Sequence, residues 1–209
     1  IGGASRIMDY VEKSRLEPGL ELENAQINMS AVESYRYHIT AEFEYEGRKE
    51  VISELAGEKE MGKTHIKGEM VNSAVDIYFI DGMIYNYDSY TKKWMLIDSG
   101  RSNSEELLIA ELNPLSNLRF ITVGNPEKLG FEEADGVECL VVKCHPEVDS
   151  QALANLWKDF EYVLWIDYKT DTIRKFTLTA TSKANAGTTL HIKVDLTDLD
   201  EEIGIKAPQ

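Results

Sequence analysis

The stretch Tyr35-Arg36-Tyr37-His38-Ile39-Thr40-Ala41-Glu42-Phe43-Glu44-Tyr45-Glu46 decides the fold. Apolar and aromatic residues at 35, 37, 39, 41, 43 and 45 alternate with charged or polar ones at the positions between. Successive side chains of a strand point to opposite faces, so this run is a long strand with one dry face and one solvated face. Gly47 and the charges after it turn the chain, and Val51 to Glu58 reads as its partner. The same period of two returns at Thr64 to Val71, Ala74 to Ile80, Met83 to Tyr87 and Lys92 to Asp98. Asp81-Gly82 sits between two of these runs as a two-residue hairpin turn. Further strands are expected over Lys128 to Glu133 and Val137 to His145, where Pro146 stops the run. Three more alternate through Tyr162-Leu164-Ile166-Tyr168, Phe176-Leu178-Ala180 and Leu190-Ile192-Val194-Leu196.

Helical spacing occupies the gaps. Arg6 to Leu16 and Glu23 to Val32 predict two opening helices, with Pro18-Gly19 as the break between them. Ser104-Glu105-Glu106 opens a middle helix carrying Leu107, Leu108, Ile109 and Leu112, ended by Pro114, and a short helical piece follows to Phe120. Asp149 or Ser150 caps a helix expected to reach Asp159, with Leu153, Leu156, Trp157 and Phe160 on one face. Hairpin-length links between consecutive strands make the sheet antiparallel. The chain is thus read as one α+β domain over residues 1–209, a curved antiparallel sheet wrapped around helices. Residues 198–209 are expected to form a loose acidic tail.

Composition excludes several functions. The 209 residues carry 37 acidic and 22 basic side chains, a net charge of −15, which repels a nucleic-acid backbone. Hydrophobic residues make up 43%, which suits a folded core and rules out disorder. The longest apolar runs, such as Leu107-Leu108-Ile109-Ala110, fall far short of the roughly 20 residues that span a bilayer. His38, His65, His145 and His191 are scattered, without zinc spacing, and no catalytic residue, metal ligand or cofactor motif is assigned. Cys139 and Cys144 are five apart. An odd offset places their side chains on opposite faces of one strand, so they read as free thiols unless a bulge or turn intervenes.

The aromatic, one-sided strands and more sheet surface than a few short helices can cover suggest an apolar hollow. Tyr37, Ile39, Phe43, Leu164, Phe176, Leu178, Leu190, Ile192 and Val194 are expected to face it from the sheet. Leu108, Leu112, Leu156 and Trp157 are expected to face it from the helices.

The order of elements also resembles a known group. A helix carrying Met29 leads into Ser34-Tyr35-Arg36 and a long alternating strand. A meander follows through Asp76-Ile-Tyr-Phe-Ile-Asp-Gly-Met-Ile-Tyr-Asn-Tyr87 to Lys93-Trp94. This resembles the bacterial lipoprotein-carrier (LolA/LolB-like) superfamily, including envelope lipoproteins of Gram-positive and mycobacterial type. The resemblance implies an incomplete barrel of about eleven strands closed by helices. It implies non-enzymatic binding or carriage of a lipid or other apolar small molecule, and an extracytoplasmic place at the cell envelope. It also implies a membrane tether through a lipidated Cys upstream of Ile1. Arg36 matches the Ser-Tyr-Arg signature, but its parity puts it on the polar face. The alternative function is an envelope interaction or sensor module whose interior is filled.

The run Gly57-Glu-Lys-Glu-Met-Gly62-Lys63-Thr64 matches the phosphate-loop pattern, yet it lies between strand patterns and lacks a following helix whose amides would meet phosphate. No ATP or GTP binding is expected; a micromolar affinity for ATP abolished by Lys63→Ala in a calorimetric titration would overturn this.

Overall fold

The computed structural model describes residues 2–98 and 113–209. The expected middle helix from Ser104 to Leu112, with Leu108 and Leu112, lies outside them. Two helices open the chain, α1 (Gly2–Arg15) and α2 (Pro18–Ala31). A meander follows: β1 (Ser34–Tyr45), β2 (Arg48–Glu60), β3 (Lys63–Met70), β4 (Ser73–Ile80), β5 (Met83–Asp88) and β6 (Lys93–Asp98). A 3-10 helix (Pro114–Leu118) and β7 (Phe120–Thr122) lead to β8 (Glu127–Ala134), β9 (Val137–Cys144) and β10 (Glu147–Val148). A short helix α3 (Gln151–Leu156) precedes β11 (Trp157–Asp167), β12 (Thr172–Ser182) and β13 (Thr188–Thr197). No helix among the described residues is long and apolar enough to cross a membrane.

Eleven strands form one antiparallel sheet in the order β6-β5-β4-β3-β2-β1-β13-β12-β11-β9-β8, and β10 pairs with β7 in a separate two-stranded ribbon. The sheet is not closed, and it curves around the helices as an α+β incomplete barrel. Its meander depends on two-residue turns. Glu46-Gly47, Met61-Gly62, Asp81-Gly82 and Asp135-Gly136 all take positive φ at both positions, the geometry whose twist matches paired strands. Met61-Gly62 is the turn between β2 and β3, so the phosphate-loop pattern spans strand, turn and strand.

Three helical expectations change. The break between the opening helices lies at Leu16-Glu17, and α2 starts at Pro18 rather than Glu23, because in the first turn a missing N–H costs nothing. The helix capped by Ser150 stops at Leu156 rather than Asp159. The Ser150 hydroxyl accepts from the Leu153 amide, and Trp157 already pairs with Ser182 of β12. Asp159 then takes a positive φ in a bulge that lets pairing resume at Glu161. Ladder hydrogen bonds along β11 outweigh the helical spacing of Trp157 and Phe160. On α1, Ile7, Met8 and Tyr10 are exposed, although Ile7 reads as an inner position by spacing. That helix is held by its C-terminal end, where Lys13 pairs with Glu138 at 2.6 Å and Lys128 donates to the Lys13 carbonyl oxygen.

The core fills the space between α2 and the sheet. Leu22, Ala25 and Met29 of α2 pack against Tyr162, Leu164, Phe176, Leu178 and Val194. Cys144 lies in this core. Cys139 faces the opposite side of β9, against Ala134, Val141 and Trp165. Both thiols are free, and burial raises them to about 12 and about 11 respectively.

Residues 198–209 have no regular secondary structure, but the expected looseness does not hold as far as Ile205. The Asp200 amide donates to the Ser34 carbonyl oxygen, and Ile205 is buried. The Glu60 carboxylate accepts from the amides of Ile203, Gly204 and Ile205 at 2.8 to 3.2 Å. The Ile203 amide foremost, then those of Gly204 and Ile205, hold the Glu60 carboxyl below its usual value of 4.5. A depressed native pKa stabilises the docked tail above pH 4.5 and loses that contribution as pH falls through the native value. Hydrogen exchange should therefore show the amides of Ile203 to Ile205 losing protection below pH 4.5 while β11–β13 stay protected. Glu60→Ala should show the same loss at neutral pH. Unchanged protection in that variant would mean that Ile205 burial alone holds the tail.

Candidate functional site

Strand register places side chains in rows across the concave, helix-bearing face. One row runs Val142, Leu164, Phe176, Val194, Ile39, Leu55 through β9, β11, β12, β13, β1 and β2. The next contains Tyr162, Leu178, Ile192, Ala41 and Ser53. Phe43 and Leu190 pair in the row beyond, and Tyr37 pairs with Leu196 on the other side. All nine strand residues singled out from the sequence thus share this face. Their environments differ. Tyr37, Ile39, Leu164, Phe176, Leu178, Leu190 and Val194 are buried, and all but Leu190 belong to the core cluster that includes Leu22, Ala25 and Met29 of α2. Ile192 is partly buried against the same cluster, whereas Phe43 is 38% exposed.

Tyr37 settles the shape of the floor. Its partner on β2 is Gly57, and the phenol ring lies across that glycine. A Cβ at Gly57 would collide with the Cζ, Oη and Cε1 atoms of the ring. Beyond Gly57 the row continues through Ile66 and Ile77. The second half of the sheet therefore carries the apolar face onward, with Phe79 and Ile84 packed against the same core.

Two hollows open on this side of the molecule. The larger is a groove of about 610 Å³ where β11 begins, lined by Ile121, Pro146, Val148, Ala154, Trp157 and Phe160 among others. The Trp157 ring contacts Phe43 at 5.5 Å between centroids, so the groove meets the lower end of β1. Of the helical candidates, Trp157 lines the groove and Leu156 beside it is 56% exposed. His145 pairs with Glu161 at 3.1 Å near its rim. The groove is bounded by α3 and by the β7–β10 ribbon, which is too short to show a strand period in sequence.

The smaller hollow, about 210 Å³, lies between α2, the 3-10 helix and the end of β2. Met29, Val32, Leu115 and Leu118 line it with the polar residues Gln26, Ser30, Lys59, Asn113, Ser116 and Arg119. Several of these polar groups are occupied. The Tyr35 hydroxyl donates to Asn113 Oδ1 at 2.8 Å, Gln26 Nε2 donates to the Leu118 carbonyl oxygen at 2.8 Å, and Ser116 Oγ donates to the Asn113 carbonyl oxygen. Lys59 is different. It pairs with Tyr35 across β1 and with Thr64 across β3, both buried, so it stands on the concave face. Burial, and then the charge of Arg119, lower its pKa. Sequence reading missed Lys59 and Arg119. Lys59 shares the parity of Leu55, but Ser53 and Gly57 on the same side leave β2 too weakly alternating for that parity to show.

On the opposite face, Arg36 is bonded to Glu58 at 2.9 Å and to Asp198 at 2.8 Å. It joins three elements on the outside and does not face either hollow. His65 there bonds Asp76 at 2.8 Å and stacks on Tyr78. No group of three or more His, Cys, Asp or Glu side chains able to hold a metal occurs among the described residues.

No protein-family model matches this sequence, and no curated protein does. Solved structures match in shape. The lipoprotein LppX of Mycobacterium tuberculosis is 12% identical and superposes over 90% of this chain and 97% of its own, with a TM-score of 0.59. LprF from Mycobacterium bovis is also 12% identical, over 90% of this chain and 95% of its own, with a TM-score of 0.60. The chain shares its overall fold with these two mycobacterial proteins. At such low identity the likeness is one of fold.

Replacing Gly57 by Ala forces the Tyr37 ring from the floor. Overpacking of this kind costs about 1–3 kcal/mol, and about 2–4 °C per kcal/mol in a chain of this size. Thermal unfolding of Gly57→Ala should show that loss, and Tyr37→Leu in the same protein should recover part of it; additive effects of the two changes would show that ring and glycine are uncoupled.

Proposed function

We propose that this protein binds a lipid-like or other apolar ligand without chemical turnover, outside the cytoplasm at the bacterial cell envelope. The observation that carries this is the groove beside Trp157, whose apolar side chains Ile121, Pro146, Val148, Ala154, Trp157 and Phe160 stand among charged ones such as Glu147, Lys158 and Lys183, and which reaches Phe43 on the one-sided face of an unclosed sheet. Its volume of about 610 Å³ falls within the range of small-molecule sites. Leu156 and Ile121 stand exposed near its rim, where an acyl chain would cover them. The fold supports the envelope part of this reading, because LppX, similar in shape, is a lipoprotein. In this reading Phe43, Leu156 and Trp157 meet the ligand first, and Tyr37, Ile39, Leu164, Phe176, Leu178, Leu190, Ile192 and Val194 form the packed floor behind it. Leu108 and Leu112 are assigned to the same wall from their sequence pattern alone.

Burying about ten methylenes would contribute on the order of 8 kcal/mol gross, at about 0.8 per CH₂, less the cost of association. Micromolar affinity is the expected net result.

The three tryptophans allow a direct test. In a Trp94→Phe, Trp165→Phe protein, Trp157 is the only indole. Titration with a long-chain fatty acid or a phospholipid should shift its emission to the blue with saturation in the micromolar range. Native mass spectrometry of protein from its own host should show a co-purified lipid. No saturable shift and no bound lipid would replace the carrier reading with that of an interaction module built on a filled core.

A further inference from the structure

The small hollow between α2 and the 3-10 helix contains a feature that apolar binding does not explain. Lys59 occupies an inward position of β2, in register with the buried Tyr35 and Thr64, where the pattern of the face calls for an apolar side chain. Arg119 lines the same 210 Å³ space from the other wall. Neither cation has an ion-pair partner among the described residues, and no acidic side chain is among the described residues that line the hollow. Other unpaired cations occur in the chain, but Lys59 is distinct in standing at an inward register position of the sheet, and in sharing with Arg119 a hollow that no described carboxylate lines. Lys59 is half-buried and Arg119 stands exposed at the margin of the same hollow; the two like charges repel, and an anion placed between them removes that repulsion.

The geometry points to Lys59 and Arg119 as a receptor for an anionic group, the phosphate or carboxylate end of an amphiphilic ligand whose chain starts on the apolar side chains of the same hollow. This deepens, and rests on, the lipid-binding reading above. The guanidinium offers a planar pair of donors and the ammonium a point charge, a combination suited to a phosphate or carboxylate oxygen set. Met29, Val32, Leu115 and Leu118 line the same hollow, alongside Gln26, Ser30, Asn113 and Ser116, so the group attached to the anion finds apolar side chains beside the cations. A net charge of −15 makes the pair a local exception, and free anions reach it against the field of the whole protein. Attachment to a buried chain offsets that field.

Three matched probes separate the contributions: 1-oleoylglycerol 3-phosphate, 1-oleoylglycerol and glycerol 3-phosphate, each titrated calorimetrically into the intact protein. The phosphorylated amphiphile should bind at least about 10-fold tighter than its neutral partner, as charge-assisted hydrogen bonds require. Lys59→Met and Arg119→Gln should each reduce that preference, and the double variant should abolish it while leaving 1-oleoylglycerol binding within about twofold. Lys59→Arg should retain it. Lys59→Met replaces a half-buried cation by an apolar chain of similar length, so its thermal stability should not fall. Equal affinity for the two oleoyl probes, or a preference that survives in the double variant, would overturn the receptor and leave apolar binding intact. Failure of both oleoyl probes would instead remove the lipid reading. The cation pair would then stand as an anion site only if glycerol 3-phosphate bound in a Lys59-dependent manner, and its failure as well would remove the receptor too.

Discussion

An unclosed sheet of eleven strands with one apolar face must cover that face or expose it to water. Every other feature of this chain answers to that constraint. Twist and curvature reduce the area to be covered by bringing the rows from Val142 to Leu55 around a common axis. Helix α2 then crosses β8, β11 and β12 and inserts Leu22, Ala25 and Met29 between the rows. Where the rows come closest, side-chain volume has to be surrendered. Gly57 does this by giving its space to the Tyr37 ring, so the phenol tiles two strands at once. The stability of the dry face is thus collective: each apolar residue is worth little unless its row is covered.

The same constraint explains what could be read from sequence. β1, β12 and β13 are amphipathic with a period of two over ten or more residues, and their turns carry Gly or Asp where positive φ is needed. A strand of this kind announces both its existence and its face. Elements whose form is set by neighbours were less legible. Trp157 and Phe160 fit a helical stripe and a strand equally, and pairing with β12 decided between them. Pro18 can end one helix or begin the next, and only the chain direction at Glu17 distinguishes the two. β7 and β10 are three and two residues long, too short for any period, and exist because they pair with one another.

Legibility of the site was divided in the same way. The apolar face was visible because it is periodic, but periodicity does not separate a residue that packs from one that lines a space. Phe176 and Phe43 have the same pattern on the same face. One is sealed under α2, while the other is at the end of its strand, touching Trp157 beside the groove. The distinction comes from where the covering helix stops. Lys59 was hidden for another reason: β2 carries Ser53, Gly57 and Lys59 on its inner side, so its alternation is weak, and a bulge opposite Ala41 and Glu42 shifts its register. With no strong period, an inward lysine looks like one more surface charge.

Charge is sorted by face in a way that composition conceals. On the outer side, Arg36 bridges Glu58 and Asp198, and His65 bonds Asp76, so acidic strands are joined laterally by the few cations present. At the end of β2 neighbouring residues have opposite fates. Glu60 turns outward and its carboxylate collects three backbone amides from the tail, whereas Lys59 turns inward and meets Arg119. The tail thereby closes the outer margin of the strand whose inner margin borders the small hollow. A cation facing inward gains nothing from folding alone, since burial disfavours its charge and a second cation disfavours it further. Its presence is uncompensated within the described structure, and an anion arriving from outside would satisfy it. Apolar walls and an unbalanced positive charge in one small hollow have the polarity of an amphiphile: Met29, Val32, Leu115 and Leu118 match the start of its chain, and Lys59 with Arg119 matches the head.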